Sequence, residues 1–184
     1  PISVFASLAV ELGGAAVVSM AERAGFNAVL RFELGAAISS IPTAQALDAN
    51  PAALAQTGLG ERDIRVTPLQ MALIAGGIAN RGQMMQPYVV DRVVTADGSA
   101  LETASPADLG RIFSAEIGSE LTEMMIGVVE QGTGRAAALP GMTVAGKTGT
   151  AERAAGPHAW FIGFAPAEAP NIAIADRKST RLHS

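Results

Sequence analysis

Residues 140–152 read PGMTVAGKTGTAE, and this stretch is compatible with two different local structures. It contains the tripeptide Lys147-Thr148-Gly149 among β-branched residues, which are typical of a strand. It also has the spacing of a phosphate-binding loop, because Gly141 lies five positions before Gly146-Lys147-Thr148. Only one of these can form, since the loop requires a helix to begin at the lysine.

The surroundings of this stretch favour the strand. A phosphate-binding loop follows a buried strand, but Leu139-Pro140 lies at that place and proline breaks such a strand. Gly149 and then Gly156-Pro157 follow the lysine within two helical turns, which leaves no room for a full-length helix. We therefore expect a strand over residues 142–151, with a nucleotide-binding protein as the alternative of a different class.

A strand of this composition has residues that suit one kind of chemistry. Lys147 can place a positive charge beside a nucleophile and a substrate carboxylate, and the hydroxyls of Thr148 and Thr150 can bind that carboxylate. Gly149 has no Cβ, so an extended peptide can lie close against the strand. A backbone amide beside this glycine can also point at a developing oxyanion.

Composition excludes several other classes of function. The chain has 184 residues, 49% of them hydrophobic, with a net charge of −4 and only two lysines, so no basic surface for nucleic acid is expected. It has no cysteine, and two histidines far apart in sequence do not predict a metal site. No uninterrupted apolar run reaches about 18 residues, so no membrane-spanning segment is expected within the chain.

Capping residues predict where the helices begin and end. Thr67 followed by Pro68 and Gln70 predicts a helix start with a capping box, and that helix should end near Asn80. The other expected helices run from about Ser3 to Gly13-Gly14, from there to Gly25, and from Ser114 to Gly132.

Strand patterns complete an α+β fold, with helices packed on a small antiparallel sheet. Strands are expected at residues 88–94, which lead into the turn signal Asp97-Gly98, and at 142–151, 159–165 and 171–175. Both faces of 159–165 carry apolar side chains, which predicts a strand that is covered on both sides. Residues 1–175 form one unit in this prediction, and the abrupt polar run 176–184 is expected to be an extraneous or disordered tail.

Several longer motifs, in order along the chain, resemble the C-terminal portion of the penicillin-binding protein transpeptidase domain, a member of the serine β-lactamase superfamily. Residues 144–152 and 158–166 resemble two neighbouring sheet strands of that family, the first carrying its Lys-Thr-Gly motif. The other matching segments are 5–13, 66–72, 78–82 and 128–137.

The chain also departs from the family pattern. No serine has a lysine three positions later, so the family's nucleophile is absent, and its Ser-x-Asn motif is absent as well. In place of a Gly-Gln-Gly type of loop the chain has residues 57–62, TGLGER, which leaves the role of that loop open. Glu152, Thr133 and His158 lie near the motif in sequence, where a solvated carboxylate, a loop hydroxyl and a strand-end imidazole explain them as well as catalysis does.

The resemblance implies a peptidoglycan D,D-transpeptidase that cross-links stem peptides through an acyl-serine intermediate, with this chain inactive alone. In that case Lys147, Thr148 and Gly149 would be catalytic, Thr148 and Thr150 would bind the substrate carboxylate, and the Thr150 amide would complete the oxyanion hole. Stem peptides and β-lactams would be the ligands, other cell-wall or division proteins the possible partners, and no cofactor or metal would be needed. The family is usually anchored at the extracytoplasmic face of the cell membrane by a segment that this chain lacks. A β-lactamase or β-lactam sensor domain is the alternative, although residues 67–72, TPLQMA, favour the transpeptidase.

Overall fold

The computed structural model describes the backbone of residues 2–151 and 156–179, and the side chains of residues 3–151 and 156–178. Within these residues it confirms an α+β fold, with helices packed against a small antiparallel sheet. The helices are α1 (Ile2–Arg23), α2 (Ala44–Asp48), α3 (Pro51–Gly58), α4 (Pro68–Ala79) and α5 (Ala115–Glu130). The strands are β1 (Gln83–Met85), β2 (Arg92–Val94), β3 (Ala100–Thr103), β4 (Asp108–Arg111), β5 (Ala145–Ala151), β6 (His158–Ala165) and β7 (Ile172–Ser179).

Helix α1 is broken where the glycine pair predicted an end. Gly13 has φ 81° and ψ 161°, which is not helical, and the amide of Gly14 donates to the carboxylate of Asp48 at 2.7 Å. The second half ends at Gly25, whose φ is 88° and whose amide donates to the carbonyl of Glu22. This is the left-handed cap that glycine favours, so both predicted ends are confirmed.

The same helix is, by length and composition, able to cross a membrane, contrary to the expectation drawn from uninterrupted apolar runs. Residues 3–23 have a mean hydropathy of 1.8. The helix nevertheless contacts α2 and α3, and Val18 packs with Leu47 and Leu54 in a buried cluster. Its other apolar side chains are largely exposed, with Phe5 at 63%.

Helix α4 begins as predicted, but one side chain has a different role. The hydroxyl of Thr67 accepts the amide of Gln70 at 3.0 Å, which confirms the N-cap. The capping-box prediction is wrong for the side chain of Gln70, because its amide donates to the carbonyl of Ala24 at 2.6 Å. Gln70 is buried and fastens α4 to the end of α1.

The three-stranded sheet has the order β5-β6-β7, all antiparallel. Ala145 and Phe164 lie opposite each other and form a buried cluster with Ile78 of α4 and Met125 of α5. This cluster fixes the first residues of β5 against both helices. Of the residues of β6 only Gly163 and Phe164 are buried, so the expectation that both faces are covered is wrong for most of the strand.

Two strand boundaries differ from the prediction. The hairpin at Asp97-Gly98 forms, but its first strand covers only residues 92–94, which pair with residues 100–103 of β3. Strand β7 continues to residue 179, since Asp176, Arg177 and Lys178 pair with β6. Residues 176–179 are therefore not a disordered tail, and 180–184 lie outside the described residues.

Candidate active site

Strand β5 carries the Lys-Thr-Gly motif and is an edge strand among the residues that the structure describes. Lys147, Thr148, Gly149 and Thr150 lie opposite residues 162, 161, 160 and 159 of β6. Three of them are exposed, and Thr148 is half-buried. The motif thus lies in a strand, which contradicts a phosphate-binding loop, and its second edge is open to an extended ligand.

The two glycines of β5 differ in whether the surrounding structure has room for a side chain. A Cβ at Gly146 would lie 2.4 Å from Cζ of Phe161, so the packing of that ring requires a glycine. A Cβ at Gly149 would lie 3.5 Å from Cβ of Trp160, which is an ordinary van der Waals contact. The fold therefore does not require a glycine at 149, and the bare backbone there is a feature of the exposed surface.

The ammonium group of Lys147 is held at this surface by the strand itself. Its Nζ donates to the carbonyl oxygen of Thr148 at 2.6 Å. No ion pair engages this ammonium group within residues 2–151 and 156–179. An exposed positive charge of this kind can attract a carboxylate ligand.

A hydroxyl pair joins β5 to the loop that follows α5. The two Oγ1 atoms of Thr133 and Thr148 are 2.5 Å apart, and either can be the donor. Proximity in sequence suggested Thr133 without deciding its role, and the structure brings it to the motif. Thr150 is exposed two positions further along the strand.

Of the two other residues that are near the motif in sequence, one can be placed. His158 begins β6 opposite Ala151 and is half-buried. Glu152 lies outside the described residues. Lys147, Thr148 and Thr150 therefore lie within four consecutive positions of β5, where Thr148 and Thr150 share one face of the strand, and His158 lies beyond them opposite Ala151.

The start of β5 is held by the turn that joins β6 to β7, a contact that sequence reasoning missed. The amide of Ala167 donates to the carbonyl of Thr143 at 2.9 Å. The hydroxyl of Thr143 donates to Glu168 and holds the pKa of that carboxyl below its ordinary value. Together with buried Val144, these contacts anchor the two residues that directly precede β5.

Comparison with known proteins identifies relatives over nearly the whole chain. The family model described as "Penicillin binding protein transpeptidase domain" matches residues 3–180. The chain is 37% identical over 177 residues to the peptidoglycan D,D-transpeptidase PbpA of Mycobacterium tuberculosis, covering 93% of this chain and 35% of the relative. It is 41% identical over 129 residues to PbpA of Mycolicibacterium smegmatis, covering 67% of this chain and 26% of that protein.

Solved structures show the same similarity. The D,D-transpeptidase domain of a peptidoglycan glycosyltransferase from Eggerthella lenta matches with a TM-score of 0.92 and 40% identity, over 96% of this chain and 46% of that chain. The imipenem acyl-enzyme complex of penicillin-binding protein A from M. tuberculosis matches with a TM-score of 0.86 and 37% identity, over 94% of this chain and 39% of that chain. The chain thus spans about a third of the length of the curated relatives and less than half of these structures.

The contrast between the two glycines can be tested by adding a methyl group to each. We expect Gly146→Ala to lower the free energy of unfolding by about 1–3 kcal/mol, because the Phe161 ring must move from its place. Gly149→Ala should change it by less than about 0.5 kcal/mol, since the methyl group fits. Differential scanning fluorimetry of both variants measures this, and equal losses would contradict the distinction.

Proposed function

Because this chain belongs to the penicillin-binding protein transpeptidase family, we propose that it forms the C-terminal portion of a peptidoglycan D,D-transpeptidase domain. In this proposal the rest of the domain supplies the nucleophilic serine and the Ser-x-Asn motif. The observation that carries the proposal is the open edge of β5, the strand that bears Lys147, Thr148 and Thr150. Relatives at 37% and 41% identity that are named peptidoglycan D,D-transpeptidase support it.

The substrate would be a stem peptide that ends in a D-alanyl-D-alanine carboxylate. An extended peptide can add to the outer edge of β5, where backbone groups bind it and Gly149 leaves room. The hydroxyls of Thr148 and Thr150 would donate to its terminal carboxylate, and the charge of Lys147 would add attraction. These contacts would orient the penultimate carbonyl toward the serine.

Catalysis would proceed by nucleophilic substitution in two steps. The serine hydroxyl, losing its proton to a base outside this chain, attacks the penultimate D-alanyl carbonyl, and the oxyanion is stabilised by backbone amides including that of Thr150. Collapse of the tetrahedral intermediate expels D-alanine, which takes up a proton. An amine of a neighbouring strand then attacks the acyl-serine, forms the cross-link and restores the serine hydroxyl.

β-Lactams would acylate the same serine. The imipenem acyl-enzyme complex of a structural neighbour supports this part of the proposal. We also propose that the protein works at the extracytoplasmic face of the cell membrane, held by an anchor outside these residues. Other cell-wall or division proteins would be its partners there.

The 184-residue chain alone should form no covalent adduct with a β-lactam. It contains no Ser-x-x-Lys, and binding contacts with part of an oxyanion hole do not replace a nucleophile. Intact-mass measurement after incubation with labelled penicillin should show the unmodified mass only. A stoichiometric acyl adduct would mean that a serine of this chain is the nucleophile, contrary to the proposal.

In the full-length protein, Lys147→Ala should slow acylation by a β-lactam by about a hundredfold to a thousandfold, the usual effect of removing one preorganised electrostatic group. Lys178 is the chain's other lysine and lies on β7, two strands away, so Lys178→Ala is the matched control and should acylate at nearly the parental rate. Stopped-flow acylation rates decide this prediction. Equal, small effects of the two substitutions would refute the site assignment.

A further inference from the structure

We infer that Thr133 is a positioning residue for Thr148, and that the hydrogen bond between their hydroxyl groups directs the proton of Thr148 toward the ligand carboxylate. The inference rests on the proposed function, because it assigns a role within the same carboxylate site. It adds a residue from outside the Lys-Thr-Gly strand, and it gives the loop after α5 a part in substrate recognition.

The loop after α5 is shaped by two glycines on either side of Thr133. The amides of Gly132 and Gly134 both donate to the carbonyl of Val128, at 3.1 and 2.9 Å. A Cβ at Gly132 would lie 2.9 Å from the backbone of Val128, and one at Gly134 would lie 3.2 Å from it. The backbone can therefore fold tightly over the last turn of α5, and Thr133 is left exposed beside β5.

The chemistry of two hydroxyl groups determines what this contact can do. Each has one proton, and at 2.5 Å one of them donates to the other. A carboxylate can only accept, so Thr148 must keep its own proton for the ligand. When Thr133 donates to Thr148, the proton of Thr148 is free to point at the carboxylate, and the two hydrogen bonds strengthen each other.

Without Thr133, the hydroxyl hydrogen of Thr148 could rotate to any neighbouring acceptor. The half-buried Thr148 also has an alternative rotamer available in a strand, although β-branching restricts it. The contact with Thr133 fixes both the direction of the hydroxyl hydrogen and the rotamer of Thr148 before the ligand binds. Such preorganisation strengthens binding of a carboxylate and leaves the chemical step itself unchanged.

A purely structural role for the contact makes a different prediction. If the hydroxyl pair only fastened the loop to β5, its loss would affect all ligands alike and would lower the thermal midpoint. The positioning role affects ligands that carry a free carboxylate, and it depends on the presence of the Thr148 hydroxyl. These two differences separate the roles.

The test uses the full-length protein with Thr133→Val, Thr133→Ser, Thr148→Val and the double valine variant. We expect Thr133→Val to lower the second-order rate constant of acylation by benzylpenicillin about fivefold to tenfold, mainly through weaker binding, the usual size for one lost hydrogen bond. Thr133→Ser should restore it to within about twofold, since it keeps the hydroxyl. Thr133→Val should leave acylation by the penicillin methyl ester almost unaffected, because the ester has no free carboxylate. The double valine variant should be acylated by benzylpenicillin no more slowly than Thr148→Val alone.

The matched control is Thr122→Val, which removes a hydroxyl that donates to the carbonyl of Gly118 within α5. It should leave the acylation rate constant near the parental value. Additive effects of the two valine substitutions, or equal slowing with acid and ester, would overturn the positioning role. If Thr148→Val is slow and Thr133→Val is at the parental rate, only this inference fails; if Thr148→Val itself acylates normally, the proposed carboxylate site is wrong.

Discussion

The fold of this chain depends on a strand that is hydrogen-bonded along one edge only. Among the described residues β5 pairs with β6 alone, so the backbone groups of its other edge remain available to a ligand. An edge of this kind is also a place where chains can associate wrongly, and exposed charge is one common protection. Lys147 provides such a charge, and in the proposed function the same charge attracts the substrate.

An open strand edge can bind a ligand in a defined geometry only if the rest of the fold holds the strand rigidly. The buried cluster of Ala145, Phe164, Ile78 and Met125 fixes the start of β5 against α4 and α5. The carbonyl of Thr143, just before β5, is held by the amide of Ala167 in the turn after β6. The first residues of β5 are thus fixed by helices α4 and α5 and by the turn after β6, and Thr148 is held by the loop after α5, so the residues of the candidate site lie on a rigid base.

Local signals explain what could be predicted from the sequence. The helix ends at Thr67, Ser114 and Gly25 are set by capping residues within a few positions, and all three formed as expected. The prediction of a strand for Lys147-Thr148-Gly149 is equally local, since Pro140, Gly149 and Gly156-Pro157 all disfavour the phosphate-binding loop.

Tertiary contacts explain what could not be predicted. Gln70 contacts Ala24, which is 46 positions earlier, and no spacing rule reaches that far. The length of β7 depends on its pairing with β6, whereas composition alone suggested an end at residue 175. Thr133 and Thr148 are 15 positions apart, and only the tight fold of the loop over α5 brings their hydroxyls together.

The most direct test of this account is a crystal structure of the full-length protein acylated by a penicillin. We predict that the penicillin carboxylate lies within about 3.2 Å of both Thr148 Oγ1 and Thr150 Oγ1, with the adduct along the outer edge of β5. A carboxylate held by other side chains, with the edge of β5 unoccupied, would contradict it.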